Sequence, residues 1–399
     1  IIVNKSAFEI LRSQFSSILI DTDLELPAFS GGAIGYFDFE CVECFEPSLR
    51  LSNSYNAVAE FMFFDSLIAF DHVRQTIQII TLACDEKGDF ISKEQAAAKN
   101  KGIRKKLETE FIPIPSSSGV PAETEVRSNF TQSDFEDAVR KVKELIYAGE
   151  CYQVVLSQRF ERKTSASPVS IYRAIRSLNP SPYMFLLQIN GKSVIGASPE
   201  MLVRCRDRQL EYRPIAGTRR RGKDANADRD LAEEMRNDPK EVAEHMMLVD
   251  LGRNDLGRVS EFGSVVVDRL MEVEKYSHVQ HLVSQLSAKL KADKDPFDAL
   301  AACFPAGTVS GAPKVRAIEI IRQLELDHRG LYAGAVGYFD YTGNMDTCIA
   351  IRTLVLENGV AKIQAGAGIV ADSVPELEYQ ETVNKARAMI RAIEISEGR

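Results

Sequence analysis

Two segments far apart in the chain set carboxylates at helical spacing. Lys240-Glu241-Val242-Ala243-Glu244-His245 and Glu378-Tyr379-Gln380-Glu381 each place two acids three residues apart, and the second runs on in a helical pattern to Lys385 and Arg387. Positions i and i+3 share one face of a helix, so each segment aims two carboxylates into one space. Two such helices facing each other make an oxygen-rich pocket of the kind Mg2+ prefers. Between them lie short glycine-rich turns, a histidine (His281) and a lone arginine, Arg352, read as lying on a strand. The combination suits a metal-assisted reaction on a small carboxylated substrate.

At 399 residues the chain is too long for one small core, which implies two domains or one large α/β body. Charged residues at 27% and hydrophobic ones at 45% are ordinary for a globular protein. The net charge of -8 argues against a nucleic-acid partner, because phosphate backbones attract broad basic faces. An anionic substrate must then be held by local positive groups. No apolar run approaches the roughly 20 residues that span a bilayer, so no membrane role is expected. The chain opens on Ile1 without a signal-like segment, and upstream sequence is expected. Seven scattered cysteines fit a reducing, cytoplasmic compartment. Cys41 and Cys44 form a CxxC, but with no second pair it cannot complete a four-ligand zinc site and is read as coincidence.

Residues 1 to about 85 read as strands and short helices, and 86 to 110 as a charged, alanine-rich helix. Ile112 to Gly119, rich in proline and serine, reads as a linker. Thr131-Gln132-Ser133-Asp134 predicts the capped start of an amphipathic helix through Ile146. One internal echo stands out: Ser30-Gly31-Gly32-Ala33-Ile34-Gly35-Tyr36-Phe37-Asp38 matches Tyr332-Ala333-Gly334-Ala335-Val336-Gly337-Tyr338-Phe339-Asp340. It marks a distant duplication, two similar strands of one sheet, or, at this length, coincidence.

Single motifs decide little. Gly366-Ala367-Gly368 belongs to a GxGxxA match, yet a dinucleotide turn must open straight into a helix, and Asp372-Ser373-Val374-Pro375 intervenes. The glycines are kept as backbone donors exposed to a ligand. Phe304 to Lys314 runs from a loop into a helix, with Pro313 in its first turn and amides free for an anion. Glu381 and Lys385 could be an ordinary surface pair worth about 0.3 to 0.5 kcal/mol. Arg219-Arg220-Arg221 reads as an exposed basic turn.

Taken in order, Pro214-Ile215-Ala216-Gly217-Thr218, the run from Glu244-His245 to Asn254-Asp255, Gly307 to Lys314 and Gly366-Ala367-Gly368 resemble the chorismate-utilising enzymes, most closely their anthranilate-forming branch. The resemblance covers about residues 128 to 399 with ordered motifs, and the first 85 more loosely. It implies an α/β (α+β) fold of packed antiparallel β-sheets flanked by helices, with N- and C-terminal parts interleaved. Residues 1–120 would form an N-terminal domain truncated at its start, and 121–399 the chorismate-binding catalytic domain.

Two positions separate the family's chemistries. Isochorismate and salicylate synthases carry a lysine that activates water, where this chain has Gln153, and a neutral amide cannot remove that proton. Many aminodeoxychorismate synthases carry a nucleophilic lysine in a Pro-Ile-Lys-Gly-Thr motif, where this chain has Ala216. Direct attack by ammonia remains: addition at C2 with loss of the 4-hydroxyl, then loss of pyruvate to leave an aromatic amine. The rivals are the aminodeoxychorismate-forming branch, some of whose members manage without the lysine, and a non-catalytic scaffold for an amidotransferase.

The resemblance assigns roles residue by residue. Glu244 and Glu381 match Mg2+ carboxylates, with Glu241 and Glu378 beside them, acting through water. Arg352 and Tyr332 match a clamp on the enolpyruvyl carboxylate. Gly217, Thr218, Gly366, Ala367 and Gly368 would offer backbone or hydroxyl groups to the substrate, and Lys385 its charge. Thr308 matches a further pocket position. Glu200 matches the general acid for the departing hydroxyl, which needs a raised pKa, and His281 the residue tied to pyruvate elimination. The ammonia would come from a glutamine amidotransferase partner in a hetero-oligomer, because no amidotransferase nucleophile motif occurs. Pro182-Tyr183-Met184 resembles half of a tryptophan-inhibitor site. Its other half, a Leu-Leu-Glu-Ser-type motif, is absent from the sequence, so weak or lost feedback is expected.

Overall fold

The computed structural model describes residues 6–15, 25–49, 58–83, 91–111, 125–276 and 279–398. The chain opens with α1 (Ala7–Phe15), β1 (Gly32–Phe37), the short α2 (Val42–Phe45), β2 (Ala59–Phe64) and the strands β3 (Ser66–Asp71) and β4 (Thr76–Thr81). The charged helix expected over 86–110 is α3 (Lys93–Thr109), started by a capping box between Ser92 and Gln95. The expected linker at 112–119 and the boundary near residue 120 lie outside the described residues. After β5 (Arg127–Ser128), Thr131 caps α4 (Gln132–Tyr147) by accepting a bond from the Asp134 amide, as its sequence predicts.

The middle of the chain supplies β6 (Gln153–Lys163), α5 (Pro168–Leu178), β7 (Tyr183–Ile189), β8 (Lys192–Ser198), β9 (Met201–Arg206), β10 (Gln209–Tyr212) and β11 (Ile215–Arg220). Two helices, α6 (Ala225–Asn237) and α7 (Pro239–Gly257), precede β12 (Val266–Lys275) and β13 (Val279–Lys289). The last third holds α8 (Pro296–Cys303), β14 (Gly311–Ala312), α9 (Lys314–Leu324), β15 (Ala335–Asp340), β16 (Met345–Ile349), β17 (Thr353–Glu357), β18 (Val360–Ile369) and α10 (Pro375–Ser396). Pro313 is the N-cap of α9, not a residue of its first turn.

Two antiparallel sheets carry the molecule. One has the order β11-β13-β10-β9-β16-β15-β1-β2 with β12 paired to β13, and the other β14-β6-β18-β17-β8-β7 with β5 paired to β6. Their facing sides meet through Tyr36, Leu187, Val194, Val336 and Cys348. Beyond them lie helices on both outer sides. Phe8, Leu256, Leu300 and Ile318 cover the larger sheet, and Ile171, Phe135 and Met389 the smaller. The result is a four-layer arrangement in which the central strands of each sheet are covered on both faces. Phe297 of α8 stacks flat on Phe339 of β15 at 4.1 Å. Removing either ring would cost about 3–5 kcal/mol.

The internal echo resolves into two neighbouring strands. β1 and β15 pair antiparallel with Gly35 opposite Gly337, so the matching residues are related by a local twofold through the glycine pair. A Cβ on Gly35 would sit 2.0 Å from the Glu60 carbonyl oxygen, and one on Gly337 2.2 Å from that of Asp346. Glycine is there because the next strand comes that close. Among the described residues no helix is long and apolar enough to cross a membrane.

Candidate active site

Two helices from different layers reach one cavity, α7 packed on β11 and β13 of the larger sheet and α10 on β18 of the smaller. Asp238 caps α7 by accepting from the amides of Lys240 and Glu241, and Pro239 occupies the first turn. That start fixes Glu241, Glu244 and Leu248 along one face. α10 likewise begins at Pro375 and aligns Glu378, Glu381, Lys385 and Met389 on one face. Glu244, Leu248, Lys385 and Met389 line a cavity of about 230 Å³, room for one small molecule and far too little for a peptide or nucleic-acid strand. Glu381 lines a shallow recess beside it, which Arg352 and Lys385 share with the cavity.

The carboxylates feel one another. Burial raises the pKa of Glu244, and so do the nearby charges of Glu241 and Glu381. Burial also raises Glu378, whose pKa the charge of Glu381 lifts and a Ser373 hydrogen bond lowers. Acids that repel across two helices are stabilised by a shared cation. Two of the four are held in ion pairs: Glu381 with Lys385 at 2.6 Å, and Glu241 with Arg219 at 2.7 Å. Among the described residues no three of His, Cys, Asp and Glu converge closely enough to cage an ion alone. Mg2+ keeps several waters and needs fewer protein ligands, so Glu244 with Glu381 fits such an ion.

Arg352 is not on a strand. It sits at the joint between β16 and β17 with φ of 51°, a left-handed conformation that strains any residue with a Cβ. Arg352 is half-buried, and desolvation lowers its pKa against the raising influence of Tyr332 and Glu381. One nitrogen donates to the Lys385 carbonyl oxygen at 3.4 Å. A half-buried fork with so little protein to hold suits a carboxylate.

Glu200 lies between β8 and β9, 9% exposed, its amide near the Ser198 hydroxyl, which itself donates to the Ile349 carbonyl oxygen. Burial pushes its carboxyl up to about 7, against the lowering effects of Thr308 and Lys385. The Thr308 hydroxyl faces that carboxyl, yet its buried oxygen completes no hydrogen bond in this geometry.

His281 comes from β13. Its Nδ1 lies 3.0 Å from both the Gly217 carbonyl oxygen and the Thr218 hydroxyl. A carbonyl can only accept, so the neutral ring carries its proton on Nδ1 and keeps a lone pair on Nε2. Burial lowers the pKa of His281 and favours that neutral form. Gly217 has φ of 67° at a register shift of β11. A Cβ there would approach Glu241 Oε2 to 3.1 Å.

On β18, Gly366 and Gly368 turn to the cavity, and Lys385 Nζ donates to the Gly366 carbonyl oxygen at 2.9 Å. Ala367 alternates with them. Its methyl faces away, buried with Phe135 and Val142 against α4, so only its backbone is available to a ligand. The other expected residues, Glu200, Gly217, Thr218, Glu244, His281, Thr308, Tyr332, Arg352 and Lys385, line the one cavity. Glu241 and Glu378 stand just outside its lining.

Pro182, Tyr183 and Met184 line a separate cavity of about 650 Å³, which meets the first only at Pro199 and Ile215. The basic run at 219–221 is no solvated turn: Arg219 binds Glu234, Asp238 and Glu241, and Arg221 grips Asp228. Cys41 and Cys44 are free thiols. The sequence reading missed the apolar lining of Leu248, Ile351, Ile363 and Met389, and the shared wall residue Gln364. Leu248 and Met389 had a signal, each one turn beyond an expected site residue on its helix.

Residues 6–391 match the model of one protein family, described as chorismate binding enzyme. Anthranilate synthase component 1 of Acetivibrio thermocellus is 47% identical over 379 residues, 92% of this chain and 76% of that protein. The protein of the same name from Aquifex aeolicus is 47% identical over 94% of this chain and 76% of its own length. Among solved structures, anthranilate synthase component I from Streptococcus pneumoniae TIGR4 superposes with a TM-score of 0.87 at 37% identity, covering 98% of this chain and 86% of that one. The menaquinone-specific isochorismate synthase of Escherichia coli shares the fold, with a TM-score of 0.71 at 21% identity over 97% of this chain and 98% of that one.

Proposed function

This chain belongs to the family of chorismate binding enzymes, and from that membership we infer that it is the chorismate-using component of an anthranilate synthase. It is a lyase of the tryptophan pathway that converts chorismate to anthranilate. The observation that carries the chemistry is a carboxyl with a pKa of about 7, Glu200, buried in the same small cavity as a guanidinium with almost no protein partner, Arg352. One group can give a proton to a leaving hydroxyl at neutral pH, and the other can hold the far end of an anion.

In our reading Arg352 and Tyr332 hold the enolpyruvyl carboxylate, and the amides near Gly366 and Gly368 with Lys385 orient the ring. Glu244 and Glu381 would hold Mg2+, with Glu241 and Glu378 acting through water. When bound, the ion supplies positive charge to the ring carboxylate and stabilises the charge that develops as the ring is attacked. Ammonia adds at C2, the two ring double bonds each move one place toward C4, and the added nitrogen gives up one proton to solvent. The C4–O bond breaks as Glu200 passes its proton to the departing hydroxyl, which leaves as water. His281 Nε2 then takes the C2 proton, the C3–O bond breaks, and the ring becomes aromatic as enolpyruvate departs to become pyruvate.

Two lining residues support ammonia over its competitors. Gln153 is an amide where a base would be needed to activate water, and Ala216 offers no amine for a covalent adduct. We place the chain in the cytoplasm with a glutamine amidotransferase as the ammonia source; the six described cysteines, all free, accord with a reducing compartment. The test is direct. Chorismate, Mg2+ and ammonium salt should give anthranilate fluorescence, and chromatography showing a 4-amino product instead would move the chain to the aminodeoxychorismate branch.

A further inference from the structure

A second chamber of about 230 Å³ lies behind the chorismate cavity, and Tyr332, Ile363 and Gln364 line both. The Gln364 amide is tied to the Ser157 hydroxyl at 2.8 Å, so this part of the partition is fixed. Charged side chains crowd the chamber, and all but one of them stand beside an opposite charge. Arg159 of β6 pairs with Asp327 and Glu161. Lys192 of β8 pairs with Glu60 of β2, and Arg329 with Glu325. Lys362 lies 3.8 Å from Glu357, and His328 lies 3.9 Å from Glu40.

The exception is Asp38. It follows β1 directly, is 6% exposed and lines the chamber, and among the described residues its carboxyl has neither a hydrogen bond nor an ion pair. Burial, with Glu40 and Glu60 nearby, pushes its pKa up to about 7, while Lys192 pulls the other way. An unpartnered acid facing a cavity calls for a small hydrogen-bond donor carrying positive charge. The reaction inferred above consumes one molecule whose protonated form has that character.

We propose that this chamber receives ammonium at Asp38 and passes ammonia through the Tyr332–Gln364 partition to chorismate. The proposal rests on the chorismate-using function inferred above. Ammonium gives one proton to the Asp38 carboxylate, leaving neutral ammonia and a carboxylic acid. Ammonia carries its lone pair to C2, and the acid returns the proton to water at the outer mouth. Raising a carboxylate toward neutrality makes it a better base for that transfer. The paired cations around it leave a lining through which a neutral molecule moves more readily than an ion. The route also avoids the helix side of the cavity, which chorismate and the acids of α7 and α10 occupy.

The test is steady-state kinetics with ammonium chloride as the only nitrogen source. Asp38→Asn keeps the shape and removes the charge. The KM for ammonium should rise at least about tenfold, the loss expected for one charge-assisted hydrogen bond, with the KM for chorismate and the Mg2+ requirement unchanged. Val355→Phe, which narrows the chamber from β17 without touching a charge, should lower the ammonium-dependent rate and keeps the test open should Asp38→Asn fail to fold. An unchanged ammonium KM in Asp38→Asn, or an unchanged ammonium-dependent rate in Val355→Phe should it alone fold, overturns the proposal. So does an altered product inhibition by pyruvate alone, which would make the chamber an exit for the leaving anion. A wild-type chain that makes no anthranilate would instead sink the inferred function, so the two failures are distinguishable.

Discussion

The Tyr332 hydroxyl lies 2.6 Å from where a Cβ on Gly366 would stand, so the absence of one side chain fixes the place of the other. A methyl there would also come within 2.9 Å of the Leu156 carbonyl oxygen, and backbone cannot yield. Gly366→Ala should therefore displace Tyr332 and lower kcat/KM by roughly 100-fold, the scale of an ångström of misplacement. Gly368→Ala should be much milder, because its Cβ would meet only the mobile end of Gln153. Parallel kinetics of the two variants check this.

Glu381→Gln should abolish turnover at limiting Mg2+ by removing a charge from the pair that the α7 and α10 acids form. A near-normal rate in a Mg2+ titration would contradict that reading.

Glu200 is a carboxyl whose folded pKa of about 7 stands above its ordinary 4.5. The acid form needed for catalysis persists up to that pH, so kcat/KM should fall roughly tenfold per unit above it. The native state also holds this proton more tightly than the unfolded chain does. Its burial therefore leaves stability untouched below about 4.5 and erodes it as pH rises to about 7. Glu200→Gln should lose 100-fold or more in kcat, on the order of a general acid's contribution. It should also gain up to about 3 kcal/mol of stability at pH 8, read as a higher melting temperature.

His281→Ala should let an aminated, non-aromatic intermediate build up, because Nε2 is the free lone pair in that part of the cavity. Chromatography of a single turnover that finds none would remove His281 from the elimination step.

Tryptophan should bind weakly. In the cavity lined by Pro182, Tyr183 and Met184, Arg204 already donates to Asp346 at 2.8 Å, and Tyr183 donates to the same carboxylate at 3.0 Å. A zwitterion must displace that network before it gains anything. Tight binding by calorimetry would refute this.

Much of the site was legible because helices obey short-range rules. Thr131 marks one start, and i,i+3 spacing alone picks out the faces that carry Glu244 and Glu381. What stayed hidden depends on partners distant in sequence or on backbone dihedrals. The guanidinium of Arg219 is neutralised by acids 15 to 22 residues on, which a local reading takes for a basic surface. The left-handed turn at Arg352 has no glycine to announce it. Asp38 gives no hint of burial, since only the pairing of strands from opposite ends of the chain encloses it.

That same pairing sets a timetable. β1 is hydrogen-bonded on one side to β15, which leaves the ribosome roughly 300 residues later. At about 5–20 residues per second, the first strand waits on the order of 15 to 60 s for its neighbour. Through that interval a nascent Ala33-Ile34-Gly35-Tyr36-Phe37 edge is open to other chains. Slow synthesis or chaperone shortage should then reduce the yield of folded protein before any change in the finished enzyme could be detected.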